Sequence, residues 1–275
     1  LTARNDDLLY VADGNTVYVY TYPDGNLAGT LGGFYGAEGL CTDRLGNVWI
    51  TDYNGFRVLE YAHAGTMPIA ILKDPERFPK GCAVSPISGD LAVANDRSLH
   101  GHGNVMIYAK GKGRGKGYFS PAMTQYELCV YDTDGNLFIG GSEQARLEEL
   151  PSGDHKLKTV LLHNYVLDTI QWDGRYIVMG AGFKRGKSAA VTQITVAGLS
   201  AQKVKNVKLD AINGKLYGND EFPFWIGKGR ILLIDSPYAK GEISIWRYPQ
   251  GGESLKTITG PSLPRAITVS AASRM

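Results

Sequence analysis

A four-part repeat constrains the fold of this chain more than any other feature of its sequence. Its clearest copy consists of four short runs, residues 39–43, 47–52, 57–61 and 67–72, separated by turns that contain Gly, Asn or Asp. Short runs rich in Val, Ile and Tyr and bounded by such turns are typical of an antiparallel β-meander. The pattern therefore predicts a four-stranded sheet in this part of the chain.

The repeat continues along most of the chain. Further copies begin near residues 81, 127 and 168, and a less regular copy begins near residue 224. Residues 8–31 hold only three runs, and residues 265–270 form a spare run that would complete them and close a ring, removing a free sheet edge. We therefore predict one all-β domain over residues 1–275, a six-bladed β-propeller whose N-terminal blade is completed by the C-terminal strand. The predicted blades are residues 265–271 with 8–31, 39–72, 81–119, 127–161, 168–207 and 224–260.

Two segments depart from this repeat. Residues 142–150 are helix formers, but the repeat register makes 145–150 a third strand, and we follow the register. Residues 203–223 are longer than a connection should be, and we expect an irregular strand pair around Asn213 and Gly214.

Charge and hydropathy exclude several classes of protein. The chain has 29 Lys and Arg against 27 Asp and Glu, and this net charge of +2 predicts no nucleic-acid partner. No apolar run approaches the ~20 residues that cross a bilayer, so we predict no membrane insertion. We expect a monomer.

The cysteines and the first residue bear on the compartment. Cys41, Cys82 and Cys129 show no metal-binding spacing, and each lies in an apolar run, so we expect buried free thiols. The sequence starts at Leu1 rather than Met, and a removed secretory leader is one explanation. We therefore expect an exported bacterial protein, either secreted or periplasmic.

The blade pattern resembles that of the NHL-type six-bladed propellers. The resemblance rests on residues 39–52, Gly-Leu-Cys-Thr-Asp-Arg-Leu-Gly-Asn-Val-Trp-Ile-Thr-Asp, with Arg57 and Val58, and on residues 9–13 and 15–17. The segment Glu38-Gly39-Leu40 is also similar to the Glu-Gly-Pro start of the gluconolactonase-like propellers, with Leu40 in place of Pro. That more distant resemblance implies a divalent metal in the channel and lactonase activity.

The connections are expected to sort onto two faces. Those after the first and third strands of each blade are short turns on one face, which we call the short-turn face. Those after the second strand and between blades lie on the other, the long-loop face, and comprise residues 32–37, 73–80, 96–103, 120–126, 181–188 and 236–241. Binding residues concentrate on loops held by a rigid scaffold, so the long-loop face is the candidate site. Asp52, at the end of a second strand, is expected to cap the turn that follows.

The starts of the first strands are expected to surround the mouth of the channel. Equivalent positions give Arg265, Glu38, Lys80, Glu127 and Asp168, with the 222–224 region in the sixth blade. Glu38, Glu127 and Asp168 together could hold Ca²⁺ or another divalent cation, or supply an acid/base pair. The alternative is that Lys80 and Arg265 neutralise these carboxylates.

Two functions remain open at this stage. One is a non-catalytic propeller that binds a protein or small-molecule ligand through the long-loop face and channel mouth, with Tyr53 and Trp225 among its contacts. It rests on aromatics near that face, which are Tyr35, Tyr53, Tyr126, Phe222, Trp225 and Tyr238. The other is a divalent-metal-dependent lactonase or hydrolase with Glu38 as a ligand. The sequence contains no nucleophile elbow or phosphate-binding loop that would decide for an enzyme.

Overall fold

A computed structural model describes residues 3–141, 146–162, 167, 169–184, 188–210, 223–235 and 241–273. Within these residues the regular structure is antiparallel β-sheet, apart from two short 3-10 helices, Tyr53–Gly55 and Ala109–Gly111. In the same part of the chain, no helix is long and apolar enough to cross a membrane.

The first sheet has six strands and contains both ends of the described fold. Its strands are β1 (Leu8–Thr21), β2 (Leu27–Thr42), β3 (Val48–Asp52), β4 (Arg57–Tyr61), β5 (Pro68–Lys73) and β22 (Ala266–Ser270). Their order in the sheet is β22-β1-β2-β3-β4-β5.

The other four sheets are four-stranded meanders in which the strands follow chain order. The second sheet is β6 (Arg77–Val84), β7 (Leu91–Ser98), β8 (Gly101–Tyr108) and β9 (Lys116–Tyr118). The third is β10 (Leu128–Tyr131), β11 (Leu137–Gly141), β12 (Arg146–Leu150) and β13 (Lys158–Val160). The fourth is β14 (Ile170–Trp172), β15 (Ile177–Lys184), β16 (Ser188–Ala197) and β17 (Ser200–Asp210). The fifth is β18 (Phe224–Gly227), β19 (Arg230–Asp235), β20 (Glu242–Arg247) and β21 (Ser254–Thr259).

The prediction of six separate blades is wrong, because the described residues form five sheets. The first and second predicted blades are one sheet. Its two halves are joined at Ala37, which pairs with Gly14 on one side and with Asp52 on the other. The long strands β1 and β2 run through positions where we expected turns, so backbone pairing continues from one predicted blade into the next.

Strand β22 closes the ring as predicted. It pairs antiparallel with β1, from Leu8 opposite Ser270 to Ala12 opposite Ala266, and the amide of Arg265 donates a hydrogen bond of 2.8 Å to the carbonyl of Ala12. Contacts then run around the ring from β22 to β2, β6, β10, β14 and β18, and from β18 back to β22. This is the closed arrangement of a β-propeller, and it removes the free edge that β1 would otherwise present.

The core lies between neighbouring sheets. Strand β22 contributes Ile267 and Val269, which are 4% and 5% exposed and pack with Leu9, Val11 and residues of the fifth sheet. All five residues of β22 are buried, including Thr268 and Ser270, so burial extends beyond the alternating apolar positions.

The two segments that departed from the repeat have different outcomes. Arg146–Leu150 is strand β12, so the repeat register was the better guide than helix propensity. Of residues 203–223, the first part extends β17 to Asp210, and the predicted pair around Asn213 and Gly214 lies outside the described residues.

The prediction of three free thiols is wrong for two of them. Cys41 on β2 and Cys82 on β6 form a disulfide, with their Cα atoms 5.7 Å apart. Strands β2 and β6 are neighbours in the ring formed by β22, β2, β6, β10, β14 and β18, which we call the inner strands. The separate sequence runs do not reveal that these two strands lie side by side. Cys129, on the next strand of the ring, is a buried free thiol as predicted.

Candidate functional site: the long-loop face

Backbone packing between inner strands sets the positions of the predicted mouth residues. A Cβ atom added to Gly39 would lie 2.2 Å from the carbonyl oxygen of Lys80, and one added to Gly81 would lie 2.3 Å from that of Glu127. Only glycine allows such close approach of one strand to the next. The glycines therefore bring the starts of β2, β6 and the segment before β10 together at one end of the ring.

Four of the predicted mouth residues form two ion pairs. Nη1 of Arg265 lies 2.9 Å from Oε1 of Glu38, and Nζ of Lys80 lies 2.5 Å from Oε1 of Glu127. Both carboxylates are largely buried, since the Glu127 side chain is 6% exposed and that of Glu38 is 17% exposed. In each pair the cation belongs to one inner strand and the carboxylate to the next, as the neutralisation alternative predicts.

These ion pairs involve two of the residues predicted to bind a divalent metal. Two of the three predicted ligands, Glu38 and Glu127, already have a cationic partner, and Asp168 lies outside the described residues. Among the residues that the structure describes, no group of three His, Cys, Asp or Glu side chains is placed to hold a metal ion. A divalent cation at the mouth stays a prediction that depends on Asp168.

Next to the mouth, a buried aspartate holds an arginine against an exposed tyrosine. Asp52 is fully buried, and its Oδ1 accepts a hydrogen bond of 2.7 Å from the amide of Tyr35 while its Oδ2 pairs with Nε of Arg57 at 2.8 Å. The Arg57 guanidinium also donates to the carbonyl of Gly33 and lies 5.9 Å from the ring centroid of Tyr35. Asp52 makes no capping bond to the following 3-10 helix, so our expectation of a turn cap is wrong.

A second unit of the same composition lies on the neighbouring sheet. Oδ2 of Asp96 lies 2.5 Å from the hydroxyl of Tyr53 and 3.5 Å from Nε of Arg97, which in turn lies 3.1 Å from that hydroxyl. The Arg97 guanidinium lies 5.4 Å from the ring centroid of Phe78. Burial, and then the hydrogen bond to Asp96, raises the pKa of the Tyr53 phenol.

Three aromatic rings join the two units. The Phe78 ring lies 4.9 Å from that of Tyr53 and 5.0 Å from that of Phe56, in tilted and edge-on arrangements that aromatic pairs favour. Phe78 is on β6, whereas Tyr53 and Phe56 follow β3. The cluster therefore spans the boundary between the first and second sheets.

Two other aromatic residues that we predicted as contacts, Tyr126 and Trp225, are described in the structure. Tyr126 is fully buried, and its hydroxyl accepts a hydrogen bond from the backbone amide of Ser120, so its ring offers no surface to a ligand. Trp225 is half-buried and packs edge-on against Tyr22, with ring centroids 5.9 Å apart. Phe222 and Tyr238 lie outside the described residues.

Sequence analysis missed Phe56, Phe78 and Arg97, and used Arg57 only as part of a motif. A signal was available, because Arg57 follows Asp52, the last residue of a predicted second strand, by five residues, and Arg97 directly follows Asp96, the first residue of the predicted 96–103 loop. We name the set Tyr35, Asp52, Tyr53, Phe56, Arg57, Phe78, Asp96 and Arg97 the arginine–aromatic cluster. Such a surface offers guanidinium donors and aromatic faces, the two features most enriched in binding hot spots.

Comparisons with known proteins support the fold and not a family. No family model and no curated protein matches the chain. A chain of the nidogen/laminin complex is similar over 98% of this chain and 100% of its own length, with a TM-score of 0.72 and 11% identity. A protein of unknown function from Bacteroides caccae is similar over 96% and 99%, with a TM-score of 0.69 and 11% identity. The Cps50 (Swd1) β-propeller domain of Myceliophteria thermophila is similar over 94% and 85%, with a TM-score of 0.61 and 14% identity. At such low identities the likeness shows a β-propeller fold alone.

Proposed function

We propose that this protein is a non-catalytic propeller that binds a protein or small-molecule ligand through its long-loop face and channel mouth. The observation that carries the proposal is the pair of arginines, Arg57 and Arg97, each held by a buried aspartate and each stacked on an aromatic ring. The sequence resemblance to NHL-type propellers is compatible with this function.

Side chains of the arginine–aromatic cluster are ordered before any ligand binds, and this order supports the proposal. An arginine side chain ordinarily loses rotamer freedom when it binds, which costs about 0.5–1.5 kcal/mol. Arg57 is already fixed by Asp52 and by the carbonyl of Gly33. Tyr35 is 68% exposed beside it, so a ligand would meet a ring and a guanidinium that are ordered in advance.

The pairing of carboxylates at the mouth and in the arginine–aromatic cluster bears on the class of ligand that could bind there. Glu38 and Glu127 are each matched by a cation, and Asp52 and Asp96 are each matched by an arginine. Carboxylates that are matched in this way favour ligands that use hydrogen bonds and ring stacking at the mouth and the arginine–aromatic cluster. Peptides and carbohydrates both satisfy this condition.

The experiment is binding of the labelled protein to glycan and peptide arrays, with affinities then measured by titration. Arg97→Ala and Tyr35→Ala should each weaken binding tenfold or more. The matched control is Arg175→Ala, because Arg175 also stacks on a ring, that of Tyr176 at 5.1 Å, but on the short-turn face. Equal binding by wild type and both cluster variants would overturn the proposal, as would loss of binding in the control alone.

We also propose export to an oxidising compartment and a monomeric state. Disulfides persist in secreted and periplasmic proteins and are rare in the cytosol, so the Cys41–Cys82 bond supports export.

A further inference from the structure

The outer edges of the five sheets are not alike. The outermost strands are β5, β9, β13, β17 and β21, and residues 27–31 of β2 form a further outer edge because they pair with β1 alone. Each of the five outermost strands has at least one exposed lysine, which is Lys73 on β5, Lys116 on β9, Lys158 on β13, Lys203, Lys205 and Lys208 on β17, and Lys256 on β21. Lysine on an edge strand opposes the addition of another strand, because its charge would be buried by a partner. On β5 this lysine is the last residue, so residues 68–72 carry no charged side chain.

Strand β5 instead carries an exposed apolar stripe. Met67, directly before the strand, is 75% exposed, and Ile69 and Ile71 are 57% and 48% exposed. Side chains alternate between faces of a strand, so these three residues and Lys73 lie on one side. Leu72, on the other side, is buried.

We propose that the outer edge of β5 binds an extended peptide segment of a partner protein, which adds as a further antiparallel strand. Within the described residues β5 pairs with β4 alone, so backbone groups of residues 69–73 on its other edge are available for such pairing, whereas Pro68 has no amide to donate. The partner segment carries apolar residues at three alternate positions, opposite Ile71, Ile69 and Met67.

The charge of Lys73 determines the type of residue at the fourth position of the partner segment. Lys73 is exposed and forms no ion pair with any described residue. It lies on the same side of the strand as the apolar stripe, so the partner has an acidic residue opposite it. The recognised pattern is an acidic residue followed by three apolar residues, each two positions apart.

A second copy of this chain fits the edge less well. A two-fold antiparallel pairing centred on Ala70 would place Lys73 opposite Met67 of the other copy, and neither lysine would meet an acid. A six-residue strand spans only about 20 Å and offers far less than the about 800 Å² per partner of a stable interface. This surface lies on the rim of the ring, so the inference does not depend on the function proposed for the long-loop face.

The experiment uses a fluorescein-labelled peptide of about seven residues, Glu-Thr-Val-Thr-Ile-Thr-Val, and fluorescence anisotropy. The wild-type protein should bind it saturably, and Ile71→Lys should weaken binding at least tenfold. Lys73→Glu should weaken it as well and should instead bind a peptide whose Glu is replaced by Lys. Because Lys73 is exposed, this charge exchange remains informative if Ile71→Lys does not fold. The matched control, Thr257→Lys on the outer edge β21, should bind like wild type.

Three results would overturn the inference. One is no saturable binding of the peptide up to about 1 mM. Another is binding that neither Ile71→Lys nor Lys73→Glu changes. The third is a concentration-dependent dimer in sedimentation that Ile71→Lys abolishes, because a second copy would then cover the edge.

Discussion

The hydroxyl of Tyr53 lies 2.5 Å from Oδ2 of Asp96, although the first residue follows β3 and the second is on β7 of the neighbouring sheet. Asp96 is 6% exposed, and its other oxygen, Oδ1, is buried with no hydrogen-bond partner. Tyr53 therefore stabilises a buried carboxylate and ties two sheets together at the candidate site.

Replacing Tyr53 by Phe should destabilise the protein by about 1–2 kcal/mol, because a hydrogen bond to a buried charged group is lost. Urea unfolding measures the change. In the Asp96→Asn background the same substitution should cost less, since the Tyr53 hydroxyl then faces a neutral side chain instead of a carboxylate. Equal costs in the two backgrounds would show that the hydroxyl does not stabilise the carboxylate.

Removing the disulfide should lower the free energy of unfolding substantially. Cys41 and Cys82 are 41 residues apart, and closing such a loop in the unfolded chain corresponds to about 4 kcal/mol. Urea unfolding of Cys41→Ala beside wild type tests this, with Cys129→Ala as the control that leaves the bond intact. Mass spectrometry of the unreduced, denatured protein should find one alkylated thiol. Three alkylated thiols would contradict the assignment.

Alkaline pH should weaken the fold through Cys129. Burial raises the pKa of this thiol from 9.0 to about 12. The folded state therefore holds the thiol proton more tightly than the unfolded chain. This contribution is fully present below pH 9 and is lost as the pH rises from 9 toward 12. Three pKa units correspond to about 4 kcal/mol.

Urea unfolding of wild type and Cys129→Ala at pH 8.5 and pH 11 isolates this effect. Burial also raises the pKa of Tyr10 to about 12, so both proteins should lose stability at the higher pH. Wild type should lose more. Equal losses would mean that the Cys129 thiol is not buried in the folded state.

The closing strand should be essential for stability. Ile267 and Val269 are almost fully buried, and changing both to Ala should cost about 3–6 kcal/mol, comparable to the net stability of a domain. Ile87→Ala, at a side chain that is 58% exposed, is the control and should change stability by less than about 0.5 kcal/mol. A double variant that keeps the wild-type melting temperature would contradict closure by β22.

The sequence predicts local structure well where a turn has its own hydrogen bonds. Oδ1 of Asp43 accepts from the amides of Leu45 and Asn47, and Oδ1 of Asp132 accepts from those of Asp134 and Asn136. Both turns follow from the same five-residue pattern, so the repeat register could be set from residues alone, and it placed β12 correctly.

Relationships between sheets could not be predicted in the same way. The pairing of Ala37 with both Gly14 and Asp52 depends on how two adjacent units meet, and it merged two predicted blades. The disulfide and the arginine–aromatic cluster also join residues of different sheets, and a single sequence carries no direct signal for such contacts. The mouth residues were chosen by strand equivalence, which placed four of them together but could not tell an ion pair from a metal ligand.

Hydrogen–deuterium exchange, with and without the glycan or peptide that the arrays retain, tests the central claim that the long-loop face binds. Bound ligand should slow amide exchange in residues 32–37, 73–80 and 96–103 and leave the short turns at 44–46, 132–135 and 173–174 unchanged. Protection of the short turns, with no change in the long loops, would contradict the account.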